Sequence, residues 1–184
     1  MPENTQLKDI AKDVAKDVAV VLGIVLVFLI LCQLVFGLWT PMYVVSSGSM
    51  ESNMNVGDII FIKSISRTEV VTLQDSLRMD DPRIKFNKGG DVILYRAYNM
   101  SNTVPIIHRA MYYVEEGEEM WPGGPAAPHA GYITKGDNDV TNPHYDQQTS
   151  ISLNQPIKEE WIIGISQFKI PYLGKIRLII GSIF

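Results

Sequence analysis

Residues 18–39 form an apolar run without one charged side chain. A small domain has little core in which to bury such a stretch, and its length suits a helix crossing a hydrocarbon layer of about 30 Å. A cleaved secretory leader would carry an apolar region of roughly 7–15 residues with small residues at its exit. This run is longer and leaves through Phe36-Gly37-Leu38-Trp39-Thr40, so it reads as a permanent anchor. Lys8, Lys12 and Lys16 precede it, and the next cationic side chain is Lys63. Because Lys and Arg favour the cytoplasmic side, residues 1–17 are expected to be a cytoplasmic arm, 18–39 the membrane helix, and the rest extracytoplasmic. Asp9, Asp13 and Asp17 alternate with those lysines at four-residue spacing, as on a solvated helix, so the arm should continue the anchor helix.

From 184 residues the anchor leaves room for one domain of about 140 residues. The net charge of −4 and the lack of a Lys/Arg-rich patch argue against a nucleic-acid partner. Cys32, the only cysteine, lies within the anchor, which excludes an intrachain disulfide and a cysteine zinc cage.

Beyond Thr40-Pro41 short apolar segments alternate with Gly, Asn, Asp and Pro. Strands are expected at 42–45, 59–65, 92–96, 106–114, 132–134 and 161–168, predicting a mainly β catalytic domain over 40–169, an antiparallel sheet or barrel. Gly57-Asp58 and Gly90-Asp91 read as turns opening apolar strands. Residues 66–88 are polar and broken by Pro82, an excursion away from the core with no assigned chemistry. Residues 121–131 form a Pro- and Gly-rich loop in which His129 reads as exposed. Residues 170–184 turn apolar again, as a membrane-contacting segment or a truncated second anchor. Asn99-Met100-Ser101 is a glycosylation sequon.

Ser46-Ser47-Gly48-Ser49-Met50 follows the anchor closely, which sets a hydroxyl near the bilayer surface. A serine hydroxyl is a weak nucleophile at neutral pH and needs a base, most often histidine. His108 lies in an expected strand that can hold its ring, His129 in a loop, and His144, two residues before Asp146, is a lesser rival. Asp137, Asp139 and Asp146 occupy one turn-rich segment, and one of these carboxylates can orient the imidazole. Asp137-Asn138-Asp139 also mimics the opening of a calcium loop, but that loop needs Gly and Glu where Asn142 and Gln148 stand. No metal site is therefore assigned. Arg109, next to His108, points to the opposite face of a strand and reads as a fold-stabilising residue.

Ser47-Gly48-Ser49-Met50, Gly90-Asp91-Val92, His108-Arg109 and Lys135-Gly136-Asp137-Asn138, in this order behind an anchor, resemble the conserved boxes of type I signal peptidases. The histidine marks the archaeal and endoplasmic-reticulum branch, in which His stands where the bacterial branch carries Lys. The resemblance implies a signal peptidase/LexA-like fold, Ser49 as nucleophile, His108 as general base and the Ser49 N–H in the oxyanion hole. Ser47 matches a position whose hydroxyl assists there, and Met42, Val44 and Met50 fall among the residues expected near substrate. Relatives carry a Gly-Asp-Asn-Asn-like turn and a later aspartate. Here Asp139 replaces the second Asn and the later Asp146 follows a longer gap, so the supporting carboxylate is ranked Asp146, then Asp137, then Asp139.

The implied activity is a membrane-bound serine endopeptidase that cleaves signal peptides from secreted and membrane preproteins, preferring small residues at the first and third positions before the cut. It needs no metal or organic cofactor. Its partners would be preprotein signal peptides, the lipid bilayer and the translocation machinery. Its site would be the cell membrane, or the endoplasmic reticulum in a eukaryote. The competing reading is a noncatalytic anchored β-domain serving as a subunit of a processing complex.

Overall fold

The computed structural model describes residues 3–100 and 102–173. The chain divides at Thr40/Pro41 into two compact units. Helix α1 (Glu3–Phe36) joins the charged arm and the apolar run in one element. Among the described residues it is the one helix long and apolar enough to cross a membrane, over Asp9–Phe36. Leu22, Ile24 and Val35 are exposed along it, as lipid-facing side chains would be. It ends at Phe36 rather than Trp39, because Gly37 takes φ 70° and its N–H bonds the Gln33 carbonyl at 3.0 Å. A left-handed residue closes a helix, and glycine adopts that conformation without strain.

The second unit is built on strands β1 (Met42–Val44), β2 (Ile59–Lys63), β3 (Ile84–Lys85), β4 (Lys88–Gly89), β5 (Val92–Tyr95), β6 (Ile106–Val114), β7 (Gly131–Lys135) and β8 (Ile162–Ile170). Six of them form an open sheet in the order β1-β2-β8-β5-β6-β7, and every pairing is antiparallel. The six expected strands are these six, with ends shifted by a residue or two. The separate β3–β4 hairpin is too short to show alternation. It turns through Phe86 and Asn87, both at positive φ, the geometry of a tight two-residue hairpin loop. Ile93, Tyr95, Ala110, Ile157, Trp161, Ile162 and Ile165 form the main core, and Val114, Met120, Ala127 and Ile133 a second cluster. From residue 174 onward the expected C-terminal apolar segment lies outside the described residues, as does Ser101 of the sequon.

Residues 66–88 do not simply leave the core. They contain helix α2 (Leu73–Arg78) and the β3–β4 hairpin, and Arg109 draws the hairpin onto β6. The Arg109 side chain is fully buried, with Nη1 among the carbonyl oxygens of Lys85 (3.1 Å), Lys88 (3.3 Å), Gly89 (3.1 Å) and Gly90 (2.8 Å). Its Nε and Nη2 meet Asp137 Oδ1 and Oδ2 at 2.8 and 2.6 Å. The two Gly-Asp turns also do more than open strands. Buried Asp58 accepts from the Asn55 and Tyr172 N–H groups and from Lys169, and buried Asp91 from the Val71 N–H and Arg83. His129 is half-buried rather than exposed: its ring meets Trp161 edge-on at 5.8 Å, and Nε2 lies 2.9 Å from Gln155 Oε1.

Removing one member of a buried ion pair strands the other charge, at a cost of about 3–5 kcal/mol. Asp137→Ala is therefore expected to destabilise the β-domain by about that amount in denaturant titration, while Asp139→Ala, which removes a carboxylate exposed at the surface, should leave the midpoint nearly unchanged. Equal, small effects for both would contradict the role given to Arg109.

Candidate active site

After β1 the chain turns through Ser46 and Ser47 into a single 3₁₀ turn, Gly48–Met50, that carries Ser49 at its centre. The Val45 N–H bonds the Asp58 carbonyl at 2.9 Å, and the Val45 carbonyl accepts from Gly57 at 2.9 Å, so the approach to the turn is held by backbone bonds. Ser49 is half-buried and Ser47 exposed, with their hydroxyls 3.3 Å apart. Met50 is fully buried, and its Sδ accepts the Asp137 N–H at 3.4 Å. Its side chain is not among those that line the cleft shared by Ser49 and His108.

The Lys135-Gly136-Asp137-Asn138 segment lies directly against this turn. A Cβ on Gly136 would come within 2.6 Å of the Ser49 carbonyl oxygen, so only glycine allows the approach. The Asn138 N–H bonds the Ser49 carbonyl, and its side-chain amide the Gly48 carbonyl, each at 2.9 Å. Asn53 Nδ2 reaches Asp137 Oδ2 at 2.9 Å. Two boxes far apart in sequence are thus one structural unit.

His108 and Arg109 are successive residues of β6, both buried, with side chains on opposite faces of the strand. Arg109 takes Asp137. His108 Nδ1 lies 2.9 and 2.7 Å from the two carboxylate oxygens of Asp146. Asp146 opens a 3₁₀ turn, Asp146–Gln148, that docks on β7 through Gln147, whose Oε1 accepts the Thr134 N–H at 3.1 Å. The Tyr95 and Thr134 hydroxyls donate to Asp146 Oδ2 at 2.7 and 2.6 Å. Burial raises the Asp146 carboxyl, but the bond to and charge of His108, with those two hydroxyls, outweigh it and hold the group below its ordinary value. Burial, then the neighbouring Asp146 charge, pushes the Tyr95 phenol well above its ordinary value, so it remains a donor. With Nδ1–H given to Asp146, the opposite ring nitrogen, Nε2, is left as acceptor.

His108 and Ser49 line the same cleft, of about 330 Å³. One wall is Tyr43 and Val44 of the edge strand β1 with Val45 just after it, another is 104–107, and Ile60, Leu94, Asn142 and Ile151 also line it. Ser49 Oγ has its partner in Ser47 rather than in the His108 ring. Catalytic hydrogen bonds are often looser in the absence of substrate. Ser47 and Val44 lie on the cleft, while Met42 is 41% exposed and outside its lining. Asp137 is engaged by Arg109 and Asn53, Asp139 is exposed and paired with Lys135 at 2.6 Å, and His144 is exposed. Tyr95, Thr134 and Asn142 had no role in the sequence reading, because isolated polar residues on strands and turns give no periodic or motif signal. Asn138 stood in a quoted motif without an assigned role.

No protein-family model matches the chain. Among curated proteins, it is 32% identical over 148 residues to the signal peptidase complex catalytic subunit of Lachancea thermotolerans, covering 78% of this chain and 67% of that protein. It is 25% identical over 165 residues to the same subunit of Sclerotinia sclerotiorum, covering 84% and 78% of the two chains. The subunit of Saccharomyces cerevisiae is 28% identical over 147 residues, 78% of this chain and 67% of its own.

A carboxyl whose folded value is depressed stabilises the fold above its unfolded value and loses that contribution as pH falls through the folded one. Asp146 is of this kind, with an ordinary value of 3.8. The melting temperature of the wild type should exceed that of Asp146→Asn above the ordinary carboxylate range, and the margin should shrink as pH falls below about 4. A margin that widens as pH falls below about 4 would contradict the assignment.

Proposed function

Because the chain belongs to the family of signal peptidase complex catalytic subunits, we propose that it removes signal peptides from secreted and membrane preproteins with Ser49 as nucleophile, His108 as general base and Asp146 as the group that orients the base. The protein is a signal peptidase, a hydrolase. One observation supports the residue assignment above others: the buried Asp146 holds His108 Nδ1, and the ring belongs to the cleft that Ser49 also lines.

In this reading Ser49 Oγ attacks the scissile carbonyl while His108 Nε2 takes its proton. The oxyanion is met by the Ser49 N–H, with the neighbouring Ser47 hydroxyl as second donor; a donor of this kind is worth about 3–4 kcal/mol of barrier. Collapse of the tetrahedral intermediate breaks the C–N bond, and His108 returns the proton to the leaving amine of the mature chain. The signal peptide remains as an ester on Ser49. Water, deprotonated by His108, then attacks that ester and frees the serine. Asp146 stays ionised throughout and stabilises the imidazolium.

The cleft suits an extended substrate with small side chains. A volume of about 330 Å³ lies at the small end of ligand sites, and Val44, Ile60, Leu94 and Ile106 give it an apolar floor and walls. β1 is an edge strand, so a peptide can add to the sheet through backbone bonds, fixing its register. The lysines ahead of α1 support a cytoplasmic N-terminus, with the β-domain at the outer surface of the cell membrane or on the lumenal side of the endoplasmic reticulum. There it meets preproteins delivered by the translocation machinery. The relatives' name also supports further subunits as partners.

Cleavage of a signal-bearing preprotein in lipid or detergent tests the assignment. Ser49→Ala and His108→Ala should each lower kcat by about 10⁴-fold or more, and Asp146→Asn by about 10³- to 10⁴-fold, in chains that keep the wild-type circular dichroism spectrum. Equal cleavage by wild type, Ser49→Ala and His108→Ala would instead support a noncatalytic subunit.

A further inference from the structure

We infer that Asn138 is a positioning residue for the oxyanion hole, acting through the Gly48–Ser49 peptide; the inference rests on the reading of Ser49 as nucleophile. Among the described residues, Asn138 is the one that grips both peptide units flanking the Ser49 Cα. Its side-chain Nδ2 donates to the Gly48 carbonyl at 2.9 Å, and its backbone N–H donates to the Ser49 carbonyl at 2.9 Å. The Glu51 N–H also reaches the Gly48 carbonyl, at 3.1 Å, so that oxygen accepts two bonds.

The consequence lies in peptide geometry. The Gly48–Ser49 bond is trans, so its C=O and N–H point in opposite directions within one plane. Fixing the Gly48 carbonyl on Asn138 therefore aims the Ser49 N–H away from Asn138. A carbonyl that accepts hydrogen bonds also polarises its own peptide and makes the N–H a better donor. Both effects act on the group proposed to meet the oxyanion, and neither requires Asn138 to touch substrate.

The orientation of the Asn138 amide follows from its other contacts. Oδ1 accepts from the Val140 and Thr141 N–H groups at 3.1 and 3.4 Å. Two backbone donors on one side and a carbonyl on the other leave a single consistent placement of oxygen and nitrogen. Aspartate, of the same shape, would keep the two N–H bonds but set an oxygen against the Gly48 carbonyl. Asn138→Asp is thus the variant that attacks this contact alone. Asn138→Ala removes both sets of bonds and leaves Glu51 as the remaining donor.

Steady-state cleavage of a preprotein, with binding of a peptide aldehyde and of the alcohol of the same sequence, tests the inference. The aldehyde forms a tetrahedral adduct with an oxyanion, whereas the alcohol does not. Asn138→Asp is expected to lower kcat about 10- to 100-fold with KM within about 3-fold, less than loss of a whole oxyanion donor. It should weaken the aldehyde by a similar factor and leave the alcohol unchanged. Asn138→Ala should shift the same quantities in the same direction. A rise in KM at constant kcat, kcat within about 2-fold of wild type, or collapse of the melting temperature in both variants would overturn the positioning role. Ser49→Ala in the same series separates the two ideas. If it is inactive while Asn138→Asp is fully active, the inference about Asn138 alone falls; if Ser49→Ala still cleaves, the serine reading falls and this inference with it.

Discussion

Taking the Arg109 guanidinium out of water costs several kcal/mol, and the fold meets that cost with a bidentate carboxylate and four carbonyl oxygens. Burial raises the Asp137 carboxyl, but the bonds to and charge of Arg109, then Asn53 and Lys88, hold it below its ordinary value, so the pair is ionised on both sides. A buried pair of this kind adds little net stability over an apolar replacement. What it adds is geometry. Its bonds tie β6, the β3–β4 hairpin and the 136–138 turn to one point, and Asn53 extends the tie to the loop after Ser49. His108 shares the same stretch of strand, so anchoring Arg109 on one face also sets the backbone from which the imidazole projects on the other.

The two faces of β6 hold two carboxylates with separate work. Asp137 is saturated by a permanent cation and by Asn53, and is unsuited to respond to proton movement. Asp146 is saturated by two hydroxyls and one imidazole, and the imidazole is the partner proposed to carry the proton in the reaction. In a buried site the attraction between that carboxylate and an imidazolium is stronger than in water. A base held there can accept the serine proton and be stabilised while it carries it. Both hydroxyl donors are strand residues, Tyr95 on β5 and Thr134 on β7, so the carboxylate is fixed by the two neighbours of the strand that bears the histidine.

Much of this was legible in the residues. The charge-free run 18–39 requires a long apolar helix, and only its end differed, because Gly37 closes the last turn. The short apolar, turn-bounded segments at 92–96 and 106–114 carried β5 and β6, and strand parity alone separated Arg109 from His108. Other features depend on distant contacts that no local pattern encodes. Nothing near Tyr95 or Thr134 marks either as a donor to Asp146. Met50, beside the serine in sequence, is fully buried, and its sulfur accepts the Asp137 N–H. His129, in a loop rich in Pro and Gly, packs on a tryptophan contributed from beyond residue 150. The β3–β4 hairpin is built from strands too short to show a period, and is placed by an arginine outside it.

The account turns on Ser49 becoming covalently attached to the signal peptide during turnover. Quenching the reaction in acid within milliseconds of mixing with a preprotein, followed by mass spectrometry of the digested chain, measures this directly. The account predicts a peptide containing Ser49 that is heavier by the mass of the signal peptide less one water, present in wild type and absent in Ser49→Ala. Turnover with no adduct at any time, or an adduct on another residue, would contradict it.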